Sequence, residues 1–391
     1  MPPDSASKGN FPRTLITAIS AYSLANVVFS LLPVMVGVLM DHQSLTGSQA
    51  GFVAGLDTLA TVLPGFLLGS VLPRIERRTL LMVGSLAVVA GNLLSAMMNG
   101  LVELAVIRTV SGFGAGLLFA CANAMLASAA DPVRAYALAS IGATLSGSIL
   151  LFGLPILVTR LEGAGYYVPV ALLTAAFFAL AVNGPREPFQ TSATAIGTGT
   201  WSAGRLRLGL LALGVVLLTI PMQAYWAFAE RIGLRVGADS ELMGAVFAAS
   251  YLCGMAMAAL ASWISTRWGL LRMMIIGFGV QALAIMIACT VIDKTVVLGA
   301  MILQVLAVSF GVPYLFGLGA EADDSGRFAN VVVCLFYMTL ALGTFLGGVL
   351  ADAAGFGAIA WLAPACTLAG LVAISPSSMA VRAHRRIAAV S

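Results

Sequence analysis

The sequence predicts an all-α integral membrane protein of twelve transmembrane helices arranged as two pseudo-symmetric six-helix bundles. Three observations predict it. Of 391 residues, 60% are hydrophobic and only 9% charged, and mean hydropathy is +1.01; soluble domains carry about 25% charged residues. Apolar runs of the ~20 residues needed to cross a hydrocarbon core recur along the whole chain. Loops in the two halves repeat at a single offset. The runs are continuous and do not alternate, which excludes a β-barrel and leaves helices, because lipid offers unpaired backbone groups no partner.

The runs follow in order. The first, 14–40, is too apolar for too long to be a secretory leader, and no cleavage site follows it. The second, 48–72, leads into the basic loop GSVLPRIERR, residues 69–78. The third and fourth are 79–99 and 101–129; the fourth carries Arg108 and ends at DPVR, 131–134. The fifth and sixth are 135–158 and 164–183. Residues 184–204, GPREPFQTSATAIGTGTWSAG, are rich in Gly, Ser, Thr and Pro. They read as a flexible linker, 184–205, between an N-terminal bundle, 1–183, and a C-terminal bundle, 206–391. The seventh run, 207–230, contains Pro221, where a bend is expected. The eighth, 242–264, leads into SWISTRWGLL, and the tenth, 295–319, into DSGR; the ninth is 271–292, and 329–351 and 356–376 complete the set.

Twelve spans with both termini inside place fifteen Lys and Arg in the tails and inside loops and four, Arg160, Arg231, Arg235 and Lys294, outside. That asymmetry is a strong positive-inside signal. Arg74 and Arg267 are 193 residues apart, and so are Asp131 and Asp324, and Arg134 and Arg327. Two loops sharing one offset indicate duplication. A finer period shows at Glu76, Gly163, Gly269 and Gly355, each just after the second helix of a three-helix group. Cys121, Cys253, Cys289, Cys334 and Cys366 all fall in spans without a CxxC pair, so they read as free, buried thiols; no metal or cofactor is expected.

These features resemble the major facilitator superfamily of secondary transporters. Gly69, Arg74, Arg77 and Arg78 match its loop pattern G-x-x-x-D-R-x-G-R-R, with Pro73 and Glu76 at the acidic and second glycine positions. Arg108, Gly112 and Gly114 are similar to its R-x-x-x-G-x-G pattern, while the Gly-Pro pair of its antiporter signature is missing from LSGSILLFGLP. The resemblance implies a central cavity lined by spans one, four, seven and ten, and alternating access. It also implies a membrane location, here a bacterial inner membrane.

Charge placement suggests a cytoplasmic gate. Arg74, Arg77 and Arg78 can face Asp131, and Arg267 and Arg272 can face Glu321, Asp323 and Asp324. Such exposed pairs contribute about 0–1 kcal/mol each, weak enough to break in every cycle. The alternative is that these charges only set topology.

Three charges lie within spans: Asp57, Arg108 and Glu230. Each costs about 2.5–3.5 kcal/mol at the bilayer centre, so each needs a partner or a watery cavity. Asp57 lies seven residues past Ala50 and Arg108 seven past Leu101, in spans running the same way, so both sit about 10 Å in from the outer side. Whether their faces meet is not readable from one sequence. If they meet, protonation of Asp57 would free Arg108 for an anionic substrate group, coupling proton to cargo. Glu230 ends a cluster with Gln223, Tyr225 and Trp226 that reads either as a substrate and proton site or as an interfacial aromatic belt. Tyr22, Asn26, Ser111, Gln304 and Tyr314 are further cavity candidates, each equally readable as a helix–helix hydrogen bond. Gly51/Gly55, Gly65/Gly69, Gly112/Gly116 and Gly343/Gly347 have GxxxG spacing and read as packing positions.

The leading expectation is a non-enzymatic, monomeric, proton-coupled transporter of a small organic solute. An uncoupled facilitator or lipid-like flippase, and a membrane sensor, are the alternatives. No convergent nucleophile or metal set supports an enzyme, and scattered loop arginines give no footprint for nucleic acid.

Overall fold

The computed structural model describes residues 5–67, 75–182, 204–264, 269–322 and 327–388. Over them the chain is all-helical, with fourteen helices. It forms two compact units, Met1–Leu45 with Phe52–Ala195, and Thr46–Gly51 with Ile196–Ser391. The first holds α1 (Ser5–Ser30), α2 (Leu32–Asp41), α3 (Gly47–Leu67) beyond its first turn, α4 (Arg77–Ser95), α5 (Leu101–Ala127), α6 (Pro132–Leu161) and α7 (Ala164–Val182). The second holds α8 (Arg205–Ala227), α9 (Ala229–Arg235), α10 (Ser240–Ile264), α11 (Leu270–Thr290), α12 (Lys294–Glu321), α13 (Arg327–Ala354) and α14 (Phe356–Ala388). Ten helices are long and apolar enough to cross a membrane, eleven when α1 and α2 count as one bent crossing. The chain is an integral membrane protein.

The same neighbours recur inside each unit. α4 packs on α5 and α7 as α11 packs on α12 and α14, and α1 packs on α6 as α8 packs on α13. A close glycine contact recurs too. A Cβ on Gly84 would lie 2.7 Å from the Gly114 carbonyl, and one on Gly277 would lie 2.7 Å from the Gly311 Cα. Gly84 and Gly277 are again 193 residues apart. Glycine lets those backbones touch, which is how helices associate where lipid supplies no hydrophobic drive. The first unit's core gathers Ala18, Leu81, Leu118, Cys121 and Phe177; the second's gathers Leu211, Met274, Phe278, Leu315 and Ile374.

Two expected continuous spans are broken. The first turns at Leu31 (φ −90°, ψ 7°), where α1 and α2 meet at 51° and Pro33 opens α2. The seventh breaks at Phe228 (φ −108°, ψ 10°), not at Pro221, through which α8 runs unbroken. Proline inside a membrane helix is tolerated when neighbouring groups accommodate the lost hydrogen bond. Glu230 therefore sits in the first turn of the short helix α9, just past the break. The thiols also differ from expectation. Cys121 and Cys289 are buried, Cys334 and Cys366 half-buried, and Cys253 exposed on α10, because an apolar residue in a membrane helix can face lipid as well as protein. Gly269 and Gly355 take left-handed backbone conformations (φ +85° and +69°) just before α11 and α14, which accounts for glycine at both.

Two of the cations that the charge pattern assigned to outer loops have structural work. Arg235 donates from Nη1 to Cys289 O (2.6 Å) and from Nη2 to Ala288 O and Val291 O (3.0 Å each), closing the C-terminal end of α11. Lys294 Nζ donates to Gly237 O at 3.0 Å. A cation on orphan carbonyls at a helix end satisfies both hydrogen bonding and dipole. Arg235→Ala should lower stability by about 1–2 kcal/mol, and Arg235→Lys by less; thermal unfolding of the detergent-purified chain measures both.

Candidate functional site

The first unit brings Asp57 and Arg108 into direct contact: Arg108 Nη2 donates to Asp57 Oδ2 at 2.6 Å, with the side chains 3% and 0% exposed. The sequence of α5 makes room for this. Arg108, Gly112 and Gly116 recur every fourth residue and so share one face. A Cβ on Gly112 would overlap the backbone oxygen of Asp57 and lie 2.7 Å from its Oδ1. One on Gly116 would meet the Thr61 carbonyl and the Pro64 ring. Asp57 is thus level with Gly112, one turn beyond Arg108. Its side chain tilts toward its helix N-terminus, as helical side chains do, and so reaches back to the guanidinium.

Other side chains complete the surroundings of Arg108. Nη1 donates to Asn92 Oδ1 of α4 at 3.1 Å, and Asn92 Nδ2 donates to Val88 O at 2.8 Å. Beside it Ser111, 2% exposed, lies against Gly91, where a Cβ would come 2.9 Å from its Oγ. From α7 the Tyr167 ring faces the guanidinium carbon at 5.9 Å, a cation–π distance. Tyr166 packs edge-on against Tyr167 at 5.1 Å. The Tyr167 hydroxyl donates to Gln43 Oε1 at 3.0 Å, and Gln43 Nε2 donates to Ser95 O (2.8 Å) and Met98 O (3.0 Å). One guanidinium thus joins α3, α4, α5 and α7, and the residues after α2. Asp57 Oδ1 and Arg108 Nε are buried and find no hydrogen-bond partner among the described residues.

Sequence reasoning missed Asn92, Tyr167 and Gln43. For Asn92 a signal existed. It lies seven residues short of Asn99, the predicted outer end of span three, at the depth assigned to Asp57 and Arg108.

The other first-unit candidates stand apart from the pair. Tyr22 stacks on Phe119 at 5.6 Å, and Asn26 Nδ2 donates to Tyr22 O at 2.8 Å. In the second unit Gln223, Tyr225, Trp226 and Glu230 are all buried. Trp226 packs edge-on to Phe247 at 5.1 Å and near Tyr251 at 5.7 Å. Gly343 and Gly347 admit the backbone of α8 at Ile220 and Ala224, and Thr219 and Thr339 share a 2.7 Å hydrogen bond. Tyr314 sits in the core cluster and donates to Ala261 O at 2.9 Å. Gln304 is 2% exposed and Gln281, on α11, fully buried. Gln223 Nε2, the Tyr225 hydroxyl, Gln304 Oε1 and both polar atoms of Gln281 are buried without a hydrogen-bond partner among the described residues.

Of the gate candidates, Arg74, Arg267, Asp323 and Asp324 lie outside the described residues, as does most of the 184–205 linker. Asp131 caps α6, accepting from the Arg134 backbone N–H at 3.0 Å. Arg77 is buried at the start of α4, Arg78 is half-buried, and Arg272 and Glu321 are exposed.

The sequence profile of the Major Facilitator Superfamily matches residues 15–208, and the chain belongs to that superfamily of transporters. No curated protein matches it. Solved structures share the fold. The nucleoside transporter NupG is 15% identical, with a TM-score of 0.73 over 94% of this chain and 98% of that one. A bacterial homologue of the human lysosomal transporter Spinster, solved inward-facing and unoccupied, is 15% identical, with a TM-score of 0.70 over 96% and 95%. The D-xylose–proton symporter is 18% identical, with a TM-score of 0.68 over 92% and 95%.

Proposed function

We propose that the chain is a proton-coupled secondary transporter moving a small organic solute by alternating access. On this reading it works as a monomer of twelve spans in two six-helix bundles, 1–183 and 206–391, around a central cavity in a bacterial inner membrane with both termini cytoplasmic. α1 with α2 and α8 with α9 form spans one and seven. The observation that carries the reading is the Asp57–Arg108 pair. A carboxylate buried against a permanent cation is poised to change protonation when a ligand competes for that cation. The unpaired amides and hydroxyl of the second unit support a solute site there, since each such atom costs about 1–3 kcal/mol unless solute or water meets it. The likeness in fold to a nucleoside transporter and a D-xylose–proton symporter supports a small organic cargo.

A second reading rests on the number of side chains that meet Arg108. With Asp57, Asn92 and Tyr167 around it, the guanidinium can serve as a structural tie in an uncoupled facilitator.

Uptake into proteoliposomes decides between them, screened over sugars, nucleosides, organic acids and hydrophobic cations with and without a pH gradient. Proton coupling predicts accumulation that follows the gradient and is lost in Asp57→Asn, while exchange without a gradient survives. Accumulation in Asp57→Asn equal to wild type would remove Asp57 from the coupling role.

A further inference from the structure

Asn92 holds the second corner of the Arg108 guanidinium, and it does so as a neutral group. The two acceptors come from different helices: Asp57 Oδ2 on α3 takes Nη2, and Asn92 Oδ1 on α4 takes Nη1. Asn92 is fixed in turn, because its Nδ2 bonds the Val88 carbonyl one turn back and leaves Oδ1 facing Arg108. An amide oxygen accepts at every pH the folded protein meets, whereas a carboxylate loses its charge on taking up a proton. The other titratable groups beside the guanidinium are Tyr167, in cation–π contact, and Tyr166 packed against it. Both are phenols, which do not ionise near neutral pH. Asp57 is the charge that can be removed, and Asn92 is the partner that stays.

Building on the coupling reading above, we propose that Asn92 is a positioning residue that retains Arg108 at its place when Asp57 is neutralised. The cation then meets an incoming ligand from a fixed position and does not swing into the helix core. Sequence spacing supports a dedicated role: Gly91, next to Asn92, is what lets α4 lie close enough to Ser111 of α5 for this reach.

The test uses the detergent-purified full chain, with unfolding temperature followed across mildly acidic to mildly alkaline pH. Wild type should show a pH-dependent step that Asp57→Asn lacks. Asn92→Leu should keep the step but displace its midpoint by about one pH unit, and Asn92→Asp should displace it in the opposite direction. A midpoint unmoved in both, with unfolding temperature lowered equally at every pH, assigns Asn92 a purely structural role and overturns the proposal. A charge transplant gives an independent arm. Asp57→Asn combined with Asn92→Asp returns a carboxylate to Arg108 and should recover most of the unfolding temperature lost in Asp57→Asn alone; no recovery overturns the anchoring role. If Asp57→Asn cannot be purified, the two Asn92 single variants, which keep the ion pair, decide the question by themselves. Absence of any Asp57-dependent step in wild type would bring down the coupling reading and the proton-linked part of this proposal, while the transplant would still report whether Asn92 anchors Arg108.

Discussion

Asp57→Leu is expected to destabilise the protein by about 3–5 kcal/mol, because it leaves a guanidinium that is 3% exposed with Asn92 as its one remaining hydrogen-bond acceptor among the described residues. Arg108→Leu should cost a similar amount, leaving a carboxylate that is 0% exposed. The double variant should recover much of the loss, since exchanging a whole buried pair for apolar side chains is often neutral or stabilising. Chemical or thermal unfolding in detergent gives the cycle. Near-additive losses in the double variant would mean that the two charges do not stabilise each other. Transport separates the roles further. If the double variant folds well yet no longer accumulates solute against a gradient, the pair is kept for coupling and not for stability. Full accumulation by a stable double variant would leave the structural reading alone.

The pair was legible in the sequence to the level of depth and no further. Counting residues along the two spans put Asp57 and Arg108 at one height, because a helix rises by a fixed amount per residue; the structure sets Asp57 one turn beyond, and its backward-leaning side chain bridges the difference. Which faces meet depends on helix rotation, and composition does not encode rotation. The clue that did encode it was the glycine stripe: Gly112 and Gly116 lie on the Arg108 face, and a face stripped of Cβ atoms is where another helix comes close. Asn92 fell to the same depth rule once the antiparallel span is counted from its outer end. Tyr167 and Gln43 were not legible. Gln43 reaches the site through the turn after α2, residues 42–46, and no spacing rule predicts where an irregular segment sets a side chain.

Helix positions were legible because continuous apolar runs admit one solution in lipid. The breaks were not. The expectation of a bend at Pro221 applied a rule from water-soluble helices, whereas the chain turns at Phe228, where no proline or glycine stands, and at Leu31 in the first span, where Pro33 opens the next helix. Both breaks fall in the first span of their half.

Glycine spacing gives the second large expected effect, because the same sequence signal has opposite structural meanings at two places. Gly112 and Gly65 each belong to a GxxxG pair. A methyl on Gly112 would collide with the backbone and carboxylate of Asp57, whereas one on Gly65 would meet nothing within 4 Å among the described residues. Gly112→Ala must therefore push α3 from α5 or rotate the Asp57 carboxylate off Arg108. Its cost should reach about 2–3 kcal/mol, the upper range of overpacking, with transport lost alongside. Gly65→Ala should be neutral or stabilising by up to about 1 kcal/mol, because alanine restricts the unfolded chain and prefers the helix. Unfolding measurements on the two variants side by side check the contrast. Equal effects would mean that α3 does not lie on the Arg108 face of α5, and the ion pair geometry would have to be abandoned with it.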